Sequence, residues 1–215
     1  LDEPLFSTLM KSAGYKTCIL GKWQLGYFYR YPDQPKDFGF DEYSLWTWFG
    51  DDDYQYTDDP WNDDSNNRGQ NSSRYWNPDI YQNGKQQVLK GKFGPDIFND
   101  YALDFIERCN KQKDPFFVYY PMCLPHFPLV KTPDNKDQDI KGTDKFAGMV
   151  KYMDKLVGKI LDKLEELGIA ENTIFMFTGD NGTDHRITSK VNGKKVIGGK
   201  SRHELSEEGN RVPLI

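Results

Sequence analysis

The stretch KTCILGKWQLG, residues 16–26, decides the fold class and draws attention to one lysine. KTCIL is a short apolar run of the kind that forms a buried strand, and Gly14 before it ends a helical pattern containing Phe6 and Leu9. Lys22 follows the strand at once, between glycines and beside a tryptophan. A solvated lysine needs no such setting, so we interpret Lys22 as a side chain that faces an anion.

Further along the chain, helical and strand patterns alternate. Residues 95–109 have an apolar helical face with a proline at its start, and PFFVYY, residues 115–120, predicts a strand. A long apolar stripe predicts a helix that is capped by Thr143 and ended by Gly168. NTIFMFTGDNG, residues 172–182, predicts a strand that is apolar on both faces. Helices that alternate with buried strands predict an α/β fold with a mainly parallel sheet.

Composition bounds the class of protein. Of 215 residues, 37% are hydrophobic and 28% charged, and the formal net charge is −5, which argues against a nucleic-acid partner. No run approaches the ~20 apolar residues of a membrane span. We expect residues 1–215 to form part of one domain, cut at both ends, with residues 51–94 as a loop-rich insertion.

Polar side chains follow three of the predicted strands. Open α/β sheets bind ligands at the carboxyl ends of their strands, so these side chains are expected at one edge of the sheet. They are Lys22, Gln24, His126, Asp180, Asn181 and His185.

The pair Asp180 and Asn181 offers a carboxylate and an amide oxygen. Hard oxygen ligands of this kind suit Ca²⁺, and less well Mg²⁺. The alternative is an ordinary Asp-Asn-Gly turn. The position at the end of a predicted buried strand favours the metal site.

Three further residues could belong to a functional site. His126 lies between Pro125 and Pro128, which would hold its ring in one pose, and it is either an acid or anion contact or a structural histidine. Cys123 could be a nucleophile in a cationic neighbourhood, but without a second acid-base partner an inert thiol is the better interpretation. Lys200, in VIGGKS, is interpreted as a lysine on a flexible loop that could meet an anion.

An acidic and aromatic stretch separates the first predicted strand from the rest. Seven aspartates lie between residues 51 and 64, which is typical of a solvated loop. A surface that stacks on sugar rings is a weaker alternative. The tryptophans in or beside this stretch are Trp46, Trp48, Trp61 and Trp76.

Four stretches, in order and covering nearly the whole chain, resemble motifs of the sulfatase family. AGYKTCILGKWQLGY resembles the family signature Gly-Tyr, Thr, Gly-Lys-Trp-His-x-Gly, and PFFVYYPMCLPHFP resembles its strand followed by Pro-His-x-Pro. FTGDNGT resembles the metal-binding Asp-Asn-Gly. GGKSRHELSEEGNRVPLI resembles Gly-Gly-Lys, a variable stretch and Gly-x-Arg-Val-Pro.

The resemblance implies an alkaline-phosphatase-like three-layer α/β sandwich and hydrolysis of a sulfate ester, on a sulfated small molecule or carbohydrate. It implies that Lys22 and Lys200 bind the sulfate oxygens, and that His126 contacts the sulfate or protonates the leaving group. It implies that Asp180 and Asn181 hold Ca²⁺. The resemblance leaves the location undecided but favours a secreted, periplasmic or lysosomal one.

Two departures from the family pattern leave alternatives open. The motif Cys/Ser-x-Pro/Ala-x-Arg, whose first residue becomes formylglycine, is absent and is expected upstream of Leu1. Gln24 stands where the family has a histidine, and glutamine cannot exchange a proton near neutral pH. A phosphoesterase of the same superfold, with a Ser or Thr nucleophile and two metals, and a non-catalytic protein that binds sulfated glycans are the alternatives.

Overall fold

A computed structural model of the chain describes residues 4–26, 31–47, 73–202 and 206–215. The helices are α1 (Phe6–Ser12), α2 (Gln34–Asp37), α3 (Gly94–Gln112), α4 (Thr143–Glu166) and α5 (Glu207–Asn210), with one 3-10 turn at Ala170–Asn172. The strands are β1 (Lys16–Gly21), β2 (Glu42–Trp46), β3 (Asp79–Gln82), β4 (Lys85–Val88), β5 (Phe116–Tyr119), β6 (Thr188–Val191) and β7 (Lys194–Ile197).

Five strands form a mixed sheet in the order β4-β3-β2-β1-β5. Strand β1 is parallel to both of its neighbours, and Cys18 lies level with Glu42 on β2 and with Val118 on β5. The hairpin β3–β4 continues the sheet in antiparallel pairing. Because β5, β1 and β2 run the same way, their carboxyl ends meet at one edge, as the sequence predicted.

Helices cover both faces of the sheet and produce three layers. On one face α1 packs over β5, where the Phe6 ring meets Phe117 and Tyr119 edge-on at 5.7 and 5.3 Å. On the other face α3 and α4 cover Cys18 and Leu20 of β1. Strand β1 therefore has apolar neighbours on both sides, which explains why its sequence has no polar alternation.

The two long helices bury most of the faces that their sequences predicted, although Val150 and Leu161 of the apolar stripe predicted for α4 are exposed. In α3 a proline stands in the first turn, and Lys113 closes the helix in the left-handed conformation. The buried apolar residues of α3 are Phe98, Ala102, Phe105, Ile106 and Cys109. Those of α4 are Met149, Tyr152, Leu156, Ile160 and Leu164.

Two details of the sequence prediction were wrong. Thr143 does not cap α4 but is its first helical residue, because Gly142 takes the cap position with a φ of +50° and no side-chain cap bond forms. Residues 79–88, assigned to a loop, form the hairpin β3–β4. Its turn is made by Asn83 and Gly84, both at positive φ, and this pair is a hairpin signal that the sequence analysis overlooked.

The predicted strand at residues 172–182 was also wrong in its burial. The segment is extended, but Ile174 and Met176 are 90% and 70% exposed while Phe175 packs against the α3–α4 side of the molecule. Two-sided burial needs a strand on each side. Among the described residues, Phe177 exchanges backbone hydrogen bonds with Ile215, and the Gly182 N–H donates to the carbonyl of Gly209, but no strand of the five-stranded sheet pairs with the segment.

The tryptophans do not form a sugar-stacking surface where they are described. Trp46 is fully buried, and Trp76 is nearly so with its indole N–H donated to the Lys131 carbonyl at 2.8 Å. Trp48, Trp61 and the aspartates of residues 51–64 lie outside the described residues. No helix within the described ranges is long and apolar enough to cross a membrane.

Candidate functional site

Lys22 is fixed at the carboxyl end of β1 by backbone contacts to the neighbouring chain segment. Its N–H donates to the carbonyl of Pro121 at 2.8 Å, directly beyond β5. Gly21 makes this approach possible, since it has a φ of +84° and a Cβ there would overlap the Pro121 oxygen. The Lys22 side chain is only 18% exposed, so its charge is held in place rather than solvated.

The loop that follows β5 is held from behind by a buried tyrosine. The Tyr75 hydroxyl lies 2.8 Å from the carbonyl oxygen of Cys123 and 2.6 Å from that of His126. Burial raises the pKa of Tyr75 far above its usual value, so the hydroxyl remains a donor. These two hydrogen-bond contacts fix the backbone of the loop at His126.

The His126 ring has a defined tautomer. Its Nδ1 lies 2.7 Å from the carbonyl oxygen of Phe127, and a carbonyl only accepts, so Nδ1 carries the proton and Nε2 holds the lone pair. Burial, with the positive charges of Arg74, Lys200 and Lys22 added, lowers the pKa of His126 to about 4. His126 is accordingly neutral in the free protein at physiological pH.

Arg74 is the residue that the sequence analysis missed. The central carbon of its guanidinium lies over the Trp46 ring, 4.0 Å from the centroid, and one Nη is 3.4 Å from Nδ1 of His126. Both of these nitrogens are donors, so the contact is a charge beside the ring rather than a hydrogen bond. Arg74 belongs to none of the recognised motifs and meets His126 only through the fold, so no sequence signal indicated it.

Lys200 is held by the segment that follows Asp180. Its N–H donates to the carbonyl of Thr183, and its own carbonyl accepts from the N–H of His185, each at 3.1 Å. The Lys200 backbone is therefore paired with residues 183–185. The ring Nδ1 of His185 also lies 3.1 Å from the Lys200 carbonyl, while the ring itself is exposed.

The remaining predicted residues differ in how exposed their side chains are. Asp180 Oδ2 is 3.8 Å from Lys22 Nζ, which joins the two motifs, but the Asp180 side chain is 73% exposed. Asn181 is half-buried, and Gln24 is exposed beyond the buried Trp23. Cys123 is a buried free thiol whose pKa is raised by burial to about 11, which confirms the inert interpretation.

The oxygen atoms of Asp180 and Asn181 match Ca²⁺ in chemistry, although two residues do not complete a site. Ca²⁺ takes about six to eight oxygen ligands. Within the described ranges no group of three or more His, Cys, Asp or Glu could hold a metal ion. The other oxygen ligands of a Ca²⁺ ion would have to come from groups outside the described residues, from water or from the substrate.

Comparison with known proteins shows the family to which the chain belongs. The family model described as Sulfatase matches residues 1–215. N-acetylgalactosamine-6-sulfatase of Mus musculus is 31% identical over 186 residues, which cover 84% of this chain and 33% of that protein. Arylsulfatase of Hemicentrotus pulcherrimus is 30% identical over 225 residues, covering 100% and 38%. The chain thus spans between a third and two fifths of the length of these relatives.

Solved structures agree on the architecture. Ps i-CgsB superposes with a TM-score of 0.69 at 26% identity, covering 97% of this chain and 46% of that one. The putative sulfatase yidJ from Bacteroides fragilis, at 19% identity and a TM-score of 0.66, has the same fold. The fold is thus the α/β architecture of the alkaline-phosphatase-like sulfatases, and the chain belongs to the sulfatase family.

Proposed function

We propose that the full-length protein hydrolyses sulfate esters and that this chain supplies the cationic side of its active site. The observations that support the proposal most strongly are two contacts: Arg74 lies 3.4 Å from Nδ1 of His126, and Lys22 Nζ lies 3.8 Å from Asp180 Oδ2. The charges of Arg74, Lys200 and Lys22 also help to lower the pKa of His126. Three like charges in one region repel one another, and the single exposed carboxylate of Asp180, 3.8 Å from Lys22 Nζ, offsets only part of that repulsion. A sulfate group has the charge and the acceptor oxygens that such a set would bind.

The cations would act most strongly on charge that develops during the reaction. As the bond between sulfur and the ester oxygen breaks, negative charge accumulates on the leaving oxygen and the sulfuryl group. Preorganised cations in a partly desolvated site stabilise this charge without reorganising. Lys22 is suited to this role because its backbone and side chain are both held at the end of β1.

His126 would change its protonation state when the anion binds. In the free protein three cations and burial keep the ring neutral, so Nε2 can accept a proton but has none to give. A bound sulfate offsets those cations and favours the imidazolium. The protonated ring could then donate from Nε2 to the leaving oxygen.

Asp180 and Asn181 would hold a Ca²⁺ ion in the complete protein, with Mg²⁺ the less suitable alternative. When bound, such an ion supplies Lewis-acid stabilisation of a sulfate oxygen. The Asp180 carboxylate also lies 3.8 Å from Lys22 Nζ. This chain would therefore place a ligand of the metal ion next to a lysine that binds the sulfate. The formylglycine nucleophile is expected outside this chain, since the modification motif is absent from residues 1–215.

We infer that the substrate is a sulfated carbohydrate. The relatives include enzymes named for N-acetylgalactosamine-6-sulfate, and Ps i-CgsB has been crystallised in complex with k-i-k-neocarrahexaose. These names describe those proteins. They support the same class of substrate here because the family and the fold are shared.

The test is turnover of an aryl sulfate and of the matching aryl phosphate by the purified full-length protein. We expect the sulfate to be hydrolysed in preference, and the 215-residue chain alone to be inactive on both because it lacks a nucleophile motif. Preferential hydrolysis of the phosphate would replace the proposal with a phosphoesterase. Binding of sulfated sugars without turnover by the full-length protein would indicate a non-catalytic relative.

A further inference from the structure

The hairpin β6–β7 projects from the protein beside the candidate site. Every residue of both strands is exposed, and the strands pair with each other around a turn at Asn192 and Gly193. At its base the Gly198 N–H donates to the carbonyl of the buried Ile187 at 3.0 Å. A hairpin with no buried face contributes little to folding, which directs attention to its surface.

The surface of this hairpin is strongly basic. Between residues 186 and 202 the sequence has six Lys or Arg and no Asp or Glu, in a protein of net charge −5. The six are Arg186, Lys190, Lys194, Lys195, Lys200 and Arg202. Lys190, Lys194 and Lys195 lie on the hairpin strands, so this stretch has a net positive charge whereas the protein as a whole is negative.

The lysines of the hairpin are not arranged for stability. Lys190 and Lys195 lie directly opposite each other in the pairing, where like charges destabilise a hairpin. Within the described ranges neither has a carboxylate at ion-pair distance, whereas Arg186 just outside the hairpin is paired with Asp184. The repulsion would be relieved by a bound polyanion.

The hairpin also leads directly to the candidate site. Lys200 follows β7 after two glycines, and it is one of the cations that act on His126. A four-residue strand is about 13 Å long, so Lys194 and Lys195, at the start of β7, are separated from Lys200 by a distance of that order along the chain. A small substrate would contact only the Lys200 end of this segment.

We propose that the β6–β7 hairpin is a binding surface for a polyanionic carbohydrate chain. Lys190, Lys194 and Lys195 bind sulfate or carboxylate groups on the sugar units beside the one whose sulfate reacts near Lys22 and Lys200. The proposal rests on the proposed function for the identity of the reacting group. It adds that the protein selects a charged chain over a single sulfated sugar.

The test uses the full-length protein with Lys190, Lys194 and Lys195 all changed to Gln. Affinity is measured by calorimetry for sulfated hexasaccharides derived from carrageenan, chondroitin sulfate and heparin, and turnover is measured on an aryl sulfate. We expect at least about a tenfold loss of affinity for the hexasaccharide that binds best, a loss that shrinks as salt is raised. Aryl sulfate kcat/KM should stay within about twofold, because the small substrate does not reach the hairpin.

A matched control carries the same change of charge elsewhere. Lys85, Lys90 and Lys92 are exposed on or beside β4, at the far edge of the sheet, and are changed together to Gln. Hexasaccharide affinity should remain at the wild-type value in this control. Thermal melting of both triple variants verifies that they fold, and Lys190→Gln alone should not lower the melting temperature because it removes the cross-strand repulsion.

Three results would overturn the proposal: unchanged hexasaccharide affinity in the hairpin variant, an equal loss in the control, or no binding of any of the three hexasaccharides to the wild type. The proposed function fails separately. If the wild type turns over no aryl sulfate but the hairpin variant still loses affinity, the binding surface stands and the sulfatase activity does not.

Discussion

The two sides of the candidate site differ in how firmly the fold holds them. The cationic side is built on the sheet and its core: Lys22 follows a fully buried strand, and Arg74 lies on the buried Trp46. The oxygen-ligand side lies on the 172–182 segment, where Asp180 is 73% exposed. One side is fixed before any ligand binds, and the other has few contacts of its own.

Because of this difference, substitutions on the two sides should have different effects on the free energy of unfolding and on ligand affinity. Changes on the cationic side should alter both stability and anion affinity, since those side chains are packed. Changes at Asp180 should alter metal and substrate binding with little effect on stability, because an exposed loop residue buries little surface. The expectations below test that separation, in order of decreasing effect.

The largest effect is expected for Asp180→Ala in the full-length protein. Loss of a charged metal ligand beside the reacting sulfate should lower turnover by about 10²-fold or more, while the melting temperature stays close to wild type. Asn181→Ala removes a neutral ligand and should cost less. Turnover, calcium content and thermal melting are measured together. Near-normal activity and calcium in Asp180→Ala would mean that Asp-Asn-Gly is only a turn.

A stability effect of about 2–4 kcal/mol is expected for Gly21→Ala, on the cationic side. The new Cβ would overlap the Pro121 carbonyl oxygen and would also sit at positive φ. Gly14→Ala separates the two causes, since Gly14 has a φ of +90° but no atom lies within 4 Å of the position that a Cβ would take there. It should cost only about 1 kcal/mol. If urea unfolding shows the same loss of stability for Gly21→Ala and Gly14→Ala, the end of β1 does not pack tightly against Pro121.

The smallest effect concerns the pH dependence of stability through His126. Its pKa is about 4 in the folded protein, so between pH 4 and 6.5 the unfolded chain binds more protons and stability rises with pH. Because solvent reaches part of the ring, we expect about 1–2 kcal/mol over this range. His126→Gln should remove that portion of the slope. An unchanged slope in His126→Gln would mean that the ring is not desolvated.

The parts of the fold that the sequence predicted are those with local signals. The face of α3, the length of α4 and the two-sided burial of β1 all follow from the spacing of apolar residues. The segment at 172–182 has an equally apolar sequence. Its burial depends on neighbouring strands, however, and apolar spacing within one segment carries no information about them.

The candidate site shows the same division. Lys22, His126, Asp180 and Lys200 were indicated by short motifs at the ends of predicted strands. Arg74 could not be predicted, because it reaches His126 across 52 positions of sequence. The neutrality of His126 was equally hidden, since it results from burial and from three cations that only the fold brings together.

The most direct test of the cationic site is the dissociation constant of the full-length protein for inorganic sulfate. It is measured by calorimetry for the wild type and for Lys22→Ala, Arg74→Ala and Lys200→Ala. Lys155→Ala, which removes a cation from the Tyr152 ring on α4, serves as the control. Each of the three site variants should bind sulfate at least about tenfold more weakly, and the control should match the wild type. Unchanged sulfate affinity in Lys22→Ala and Lys200→Ala would contradict a sulfate site at this edge of the sheet.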